Sequence, residues 1–128
     1  MPPQAEDTTV TPRGLTVLVV EDEPALARLA CRMLASLGHV PHAETNARVV
    51  LEKLEQVRFD VLFTDVTMPD MDGVTLARLA LKKQPGLRVL ITSGYASGLL
   101  DKRDLPGPLL TKPYRKAELG ASIDSLMA

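Results

Sequence analysis

A single cysteine, Cys31, occurs in 128 residues, which excludes an internal disulfide and a zinc cage built on cysteines. That scarcity suits a reducing compartment. No charged-then-apolar leader opens the chain, and no apolar run is long enough to span a bilayer. A soluble, cytoplasmic protein with no membrane association is expected. A surplus of either charge is also missing, since 15 Lys and Arg face 16 Asp and Glu for a formal charge of -1. Without a general basic field, direct nucleic-acid binding is not expected, and any anion must be held locally. Internal repeats are absent, and so are low-complexity tracts beyond the first residues.

What is present fits one domain with one core. Residues Met1 to Arg13 hold three prolines and three threonines with few apolar residues, so residues 1–13 are expected to be a flexible tail and the fold to begin near Gly14. From there, short apolar runs alternate with longer segments of helical period, the pattern of β-α units around a parallel sheet. Leu15 to Val20 reads as the first strand. Pro24 to Leu37 is the clearest helix, with Leu26, Leu29, Ala30, Met33, Leu34 and Leu37 at three- and four-residue steps and Gly38 as its stop.

His39 to Ala43 reads as a short strand that Pro41 assigns to a sheet edge. Asn46 to Gln56 follows as a helix with Ala47, Val50, Leu51 and Leu54 on one face, then a strand at Asp60 to Thr64. Val74, Ala77 and Leu81 stripe a third helix that Gln84-Pro85-Gly86 ends. Arg88 to Ile91 is the fourth strand, Ala96 to Arg103 a weak helix, Pro108 to Thr111 the fifth strand, and Arg115 to Met127 a last helix with Leu119, Ile123, Leu126 and Met127 inward. Five strands and five helices are expected.

A parallel sheet gathers the residues after its strands at one carboxyl edge, where such sheets place their ligands. Here that edge would hold Glu21, Asp22 and Glu23 after the first strand and Asp65 after the third. Thr92 and Ser93 follow the fourth strand, and Lys112-Pro113 the fifth. Taken alone, the acidic run also reads as a helix cap and Asp65 as a turn residue. Together, Glu21, Asp22 and Asp65 would repel one another unless they take up protons or bind a cation. An all-oxygen set with room for water suits Mg²⁺. With the ion in place, Asp65 is a candidate nucleophile toward a phosphoryl group, and Lys112 and the Thr92 hydroxyl are candidates to receive its oxygens.

Four segments carry a resemblance: "VLVVEDEP", "VLFTDVTMPDMDG", "VLITSGYA" and "LLTKPY". In this order, over Leu15 to Met127, they resemble the signature segments of bacterial response-regulator receiver domains, either stand-alone or at the end of hybrid sensor histidine kinases. The resemblance implies a doubly wound, flavodoxin-like (βα)5 sandwich with strand order 2-1-3-4-5. It implies that Asp65 accepts a phosphoryl group from a histidine kinase or a histidine phosphotransfer protein. Glu21, Asp22 and Asp65 would hold Mg²⁺ together with the carbonyl of Thr67. Thr92 would be the switch hydroxyl, and Lys112 the phosphate-contacting lysine before a cis peptide to Pro113. Such a domain signals to a downstream protein by contact, and a weak homodimer belongs to the same expectation. It turns over only its own phosphoryl group rather than acting as an enzyme.

The chain departs from the pattern at Leu109, where an aromatic switch residue is common, and at Glu21, which replaces a common aspartate. Leu109 keeps open a degenerate, unphosphorylated receiver that serves as a binding module. A small aspartyl-phosphate phosphatase of the haloacid-dehalogenase kind is the other alternative, and Thr67 stands where that class needs its second aspartate. No output domain is expected after Ala128. His39 and His42 read as surface residues near an edge strand, Cys31 as a packed thiol, and Met68 and Met71 as loop anchors.

Overall fold

The computed structural model describes residues 14–94 and 105–128. The expected N-terminal tail and the weak helix expected over Ala96 to Arg103 lie outside the described residues. Five strands, β1 (Thr16–Val20), β2 (Val40–Glu44), β3 (Val61–Asp65), β4 (Arg88–Ser93) and β5 (Leu109–Thr111), form one sheet in the order β2-β1-β3-β4-β5. Every pairing is parallel. Among the described residues, four helices accompany them: α1 (Pro24–Ser36), α2 (Ala47–Gln56), α3 (Gly73–Lys83) and α4 (Lys116–Met127). This is the doubly wound sandwich expected from the motifs.

Alternation along the strands explains why both faces need helices. Leu18, Val20, Leu62, Val89 and Ile91 face Ala47, Val50 and Leu54 of α2 and Leu76, Ala77 and Ala80 of α3. Val17, Val19, Val61, Phe63 and Leu90 face the other way, onto Ala30 and Leu34 of α1 and Leu119 and Ile123 of α4. With apolar residues at both parities, β1, β3 and β4 are buried throughout or nearly so. β2 is half open, and its Pro41 sits at a sheet edge as expected.

Several boundaries move, each for a stated reason. α1 ends in a Schellman turn, in which Gly38 at φ +95° donates to the Ala35 carbonyl (3.0 Å) and His39 to the Leu34 carbonyl (2.9 Å). That use of the His39 N–H starts β2 at Val40 instead of His39. His39 is consequently buried rather than on the surface, and its Nδ1 accepts from the Leu15 N–H at 3.4 Å; His42 is exposed as expected. β4 continues through Thr92 and Ser93, so these residues belong to the strand rather than following it. Asp65 likewise is the last residue of β3 and pairs with Thr92 in register.

Two helical stripes also need correcting. On α1 the buried residues are Ala27, Ala30 and Leu34, while Leu26 and Leu29 stand 39% and 43% exposed. The apolar period is wider than the core can cover. On α3 the buried line runs Gly73, Leu76, Ala77 and Ala80, with Leu81 only packed at its margin. Cys31 is half-buried against the α1–α4 core and burial pushes its thiol up, which fits a packed thiol. Met68 is buried and Met71 packs beside it, anchoring the loop between β3 and α3.

Candidate functional site at the carboxyl edge

Asp65 at the end of β3 pairs in register with Thr92, one residue before the end of β4, while β1 delivers Glu21 next to β3 and β5 delivers Lys112 beyond β4. The sheet order alone brings the four together. Glu21, Asp65 and Thr92 are buried and Asp22 is exposed. Lys112 reaches inward so that its Nζ donates to Glu21 Oε1 at 2.8 Å and Asp65 Oδ2 at 2.5 Å. Its backbone is held by a bond from its own N–H to the Ser93 carbonyl (2.8 Å), and a cis peptide joins it to Pro113 as expected.

The remaining oxygens are also occupied. Asp65 Oδ1 accepts from the Thr67 N–H at 3.0 Å, and Glu21 Oε2 from the Glu23 N–H at 3.2 Å. Glu23 takes the N-cap position of α1 without a side-chain cap bond, so the acidic run is not serving mainly as a helix cap. The Thr92 hydroxyl donates to the Leu110 carbonyl at 2.8 Å, linking the site to β5. Leu109, one residue earlier, packs at the margin of the core under α2 and α3.

Among the described residues, Glu21, Asp22 and Asp65 form the one group of three potential metal ligands, with an oxygen from each lying within 4.8 Å of the others. Two carboxylates this close repel by about 3 kcal/mol at an effective dielectric of 20. Burial pushes the Glu21 carboxyl up, against the pull of Lys112. Burial works to lower the Lys112 ammonium, yet its bonds to Asp65 and Glu21 outweigh that and leave it raised. One lysine thus offsets part of the charge of three carboxylates. The donor set is all oxygen and partly open to water, the chemistry of a hard divalent cation.

Three features escaped the reading from sequence. Tyr114 stacks edge-on against Phe63 (5.7 Å between centroids), and burial pushes its phenol up to about 12. With Leu26, Leu29, Met33, Lys112 and Pro113 it lines an apolar groove of about 410 Å³ that reaches Glu21. Asp70 accepts from the Ala47 N–H at 3.0 Å, tying the β3–α3 loop to the start of α2. Gly73 lies so close to the Asp65 carbonyl that a Cβ there would sit 1.9 Å from the oxygen. Only the exposed leucines had a sequence signal, in an apolar stripe wider than one helix face needs.

This assembly of a doubly wound sheet and an acidic carboxyl edge is that of a signalling receiver module, and the chain belongs to the response regulator receiver domain family, whose model matches residues 17–124. The response regulator receiver protein CpdR of Brucella abortus is 32% identical over 115 residues, covering 87% of this chain and 95% of that protein. The sensor kinase CckA of the same organism is 32% identical over 130 residues, which is 97% of this chain but 14% of the kinase. Among solved structures, a CheY-like receiver domain protein from Methanospirillum hungatei superimposes with a TM-score of 0.79 at 26% identity, over 88% of this chain and 94% of that one. Both a stand-alone receiver and one carried by a hybrid kinase agree with these likenesses. Among the described residues, no helix is long and apolar enough to cross a membrane.

Proposed function

We propose that this receiver accepts a phosphoryl group on Asp65 from a phosphohistidine of a histidine kinase or histidine phosphotransfer protein, in a Mg²⁺-dependent reaction in the cytoplasm. The observation that carries the reading is the convergence of Glu21, Asp22 and Asp65 oxygens within 4.8 Å, with Lys112 already bonded to two of them. Such a cluster has no role in packing.

Glu21, Asp22, Asp65 and the carbonyl of Thr67 would hold the cation. When bound, Mg²⁺ neutralises charge on the phosphoryl oxygens. An Asp65 carboxylate oxygen attacks phosphorus, the P–N bond breaks, and its electron pair returns to the donor imidazole. The product is an acyl phosphate, which water cleaves to phosphate and the free carboxylate. Thr67, through its N–H, fixes the orientation of Asp65 before attack. Lys112 exchanges its bond to Asp65 Oδ2 for one to a phosphoryl oxygen. Thr92 turns its hydroxyl from the Leu110 carbonyl to another, and that loss at β5 is the change a downstream protein reads by contact.

The apolar groove beside Lys112 gives a protein donor a surface on which to sit while its histidine faces Asp65. Incubation with acetyl phosphate, with and without Mg²⁺, followed by intact mass tests the proposal. One phosphoryl adduct that requires Mg²⁺ and vanishes in Asp65→Asn is expected. No adduct on the native chain, or an undiminished one in Asp65→Asn, would refute it.

A further inference from the structure

Asp70 lies five residues past Asp65, outside the carboxylate cluster. Its Oδ2 accepts from the N–H of Ala47, the first residue of α2, at 3.0 Å. The next two N–H groups of α2, from Arg48 and Val49, go to Asn46 Oδ1 at 2.8 and 3.2 Å. Two side chains therefore satisfy the open end of this helix, and only one belongs to it. A helix start attracts a carboxylate through both its free N–H groups and its dipole. Asn46 already supplies a complete local cap, so the contribution specific to Asp70 is the link across 23 residues of chain to another loop.

That loop has a job at the site. Between Asp65 and α3 it is fixed by the Met68 side chain in the core and by the Asp72 cap on the Thr75 N–H (2.9 Å). Thr67 sits one residue before Met68 and is exposed, with its N–H on Asp65 Oδ1. On one side its neighbour Val66 is held by its N–H on the Thr92 carbonyl (2.9 Å) and by the Gly73 N–H on its own carbonyl (2.7 Å), so on the other side the placement of Thr67 depends on where the loop is anchored beyond Met68. Asp70 is the anchor on the α2 side.

We infer that Asp70 is a positioning residue for the Asp65 site: by clamping the β3–α3 loop to the start of α2, it holds Thr67 where its N–H orients Asp65 and its carbonyl can face a cation. This inference rests on the function proposed above. Outer contacts that orient a ligand change metal affinity by about 10- to 100-fold when removed. The same size of effect applies here.

The test measures Mg²⁺ affinity by calorimetry and, in metal-free protein, the Thr67 amide proton chemical shift by NMR. Native chain, Asp70→Ala, Asp70→Asn and Asn46→Ala are compared. Asp70→Ala should bind Mg²⁺ about tenfold more weakly and lose the downfield shift of Thr67. Asp70→Asn keeps an acceptor oxygen and should restore both nearly to the native values. Asn46→Ala weakens the same helix start without touching the loop, and should leave both unchanged. Native affinity and an unmoved Thr67 amide in Asp70→Ala would overturn the inference. So would an equal loss in Asn46→Ala, which would assign the effect to α2 alone. If the native chain binds no Mg²⁺, the proposed function fails, while the metal-free Thr67 shift still decides the role of Asp70.

Discussion

Gly73→Ala adds one methyl group where α3 starts against the end of β3. The new Cβ would lie 1.9 Å from the Asp65 carbonyl oxygen, 2.8 Å from its carbon and 3.1 Å from Thr64 Oγ1. Backbone atoms cannot rotate away, so the strand end and the helix start must separate by roughly 1 Å, an overpacking that costs about 1–3 kcal/mol. The same movement stretches the 2.7 Å bond from the Gly73 N–H to the Val66 carbonyl, worth about 1 kcal/mol more. A total near 2–4 kcal/mol, with m about 2 kcal/mol/M, lowers the urea midpoint by about 1–2 M. The displaced backbone is that of Asp65 itself, and a shift of this size is enough to slow phosphorylation by acetyl phosphate about tenfold or more. Gly86→Ala is the control, because its nearest neighbour, Arg58 Nη2, is 4.0 Å away; it should stay within about 0.5 kcal/mol of native. A Gly73→Ala protein with the native urea midpoint and native adduct formation would refute the reasoning.

Other perturbations give separate readings. Asp72 caps α3 through the Thr75 N–H (2.9 Å) and hydroxyl (2.9 Å), and the backbone bond to Thr75 holds its carboxyl below its ordinary value of 3.8. A depressed carboxylate stabilises the fold above its unfolded pKa and ceases to as pH falls through the folded one. Asp72→Ala should therefore cost about 1 kcal/mol at neutral pH, a gap that closes in urea titrations run progressively below pH 3.8. Gln84 brackets two loops, its amide nitrogen donating to the Leu54 and Val57 carbonyls (2.8 and 2.7 Å) and its oxygen accepting from the Phe59 N–H (3.0 Å). Gln84→Ala should cost about 2–3 kcal/mol by chemical denaturation, and Gln84→Glu, which keeps the acceptor but loses both donors, should not rescue it. Lys112→Met removes the cation that Glu21 and Asp65 share, so Mg²⁺ should raise its Tm by more than it raises that of the native chain, read by differential scanning calorimetry.

Much of this architecture was legible because parallel sheets write continuous apolar strands and helices write periods. Leu62, Phe63 and Leu90 could hardly be anything but strand interior, and Ala47, Val50 and Leu54 announce one face of a helix. The site was legible because its members end strands, and the sheet order converts strand ends into neighbours. What sequence could not supply was any contact whose partner is remote and nonspecific in type. His39 looked like a surface imidazole because nothing local says that a Schellman turn will carry it beneath Leu15. Leu26 and Leu29 looked like core because period alone cannot tell how wide a stripe the neighbouring elements will cover.

Four aspartates make the point most sharply, since Asp60, Asp65, Asp70 and Asp72 fall within 13 positions and do four different things. Asp60 accepts from the Thr16 N–H at 2.8 Å, fixing where β1 begins beside β3. Asp65 ends β3 with one oxygen on Lys112 and the other on Thr67, in the one place among the described residues where a second and third carboxylate come close. Asp70 and Asp72 each face a helix start, one on α2 and one on α3. Asp60, Asp70 and Asp72 accept backbone N–H groups that a neutral asparagine side chain could also satisfy, the charge adding to the cap at Asp72. For Asp65 the charge is not incidental: its carboxylate sits with Glu21 and Asp22 despite the repulsion, which Lys112, a proton or a cation relieves. Substitution by asparagine therefore separates the classes, with small losses of stability at positions 60, 70 and 72. At position 65 the repulsion is relieved, and the phosphoryl adduct expected under the proposed function should be lost.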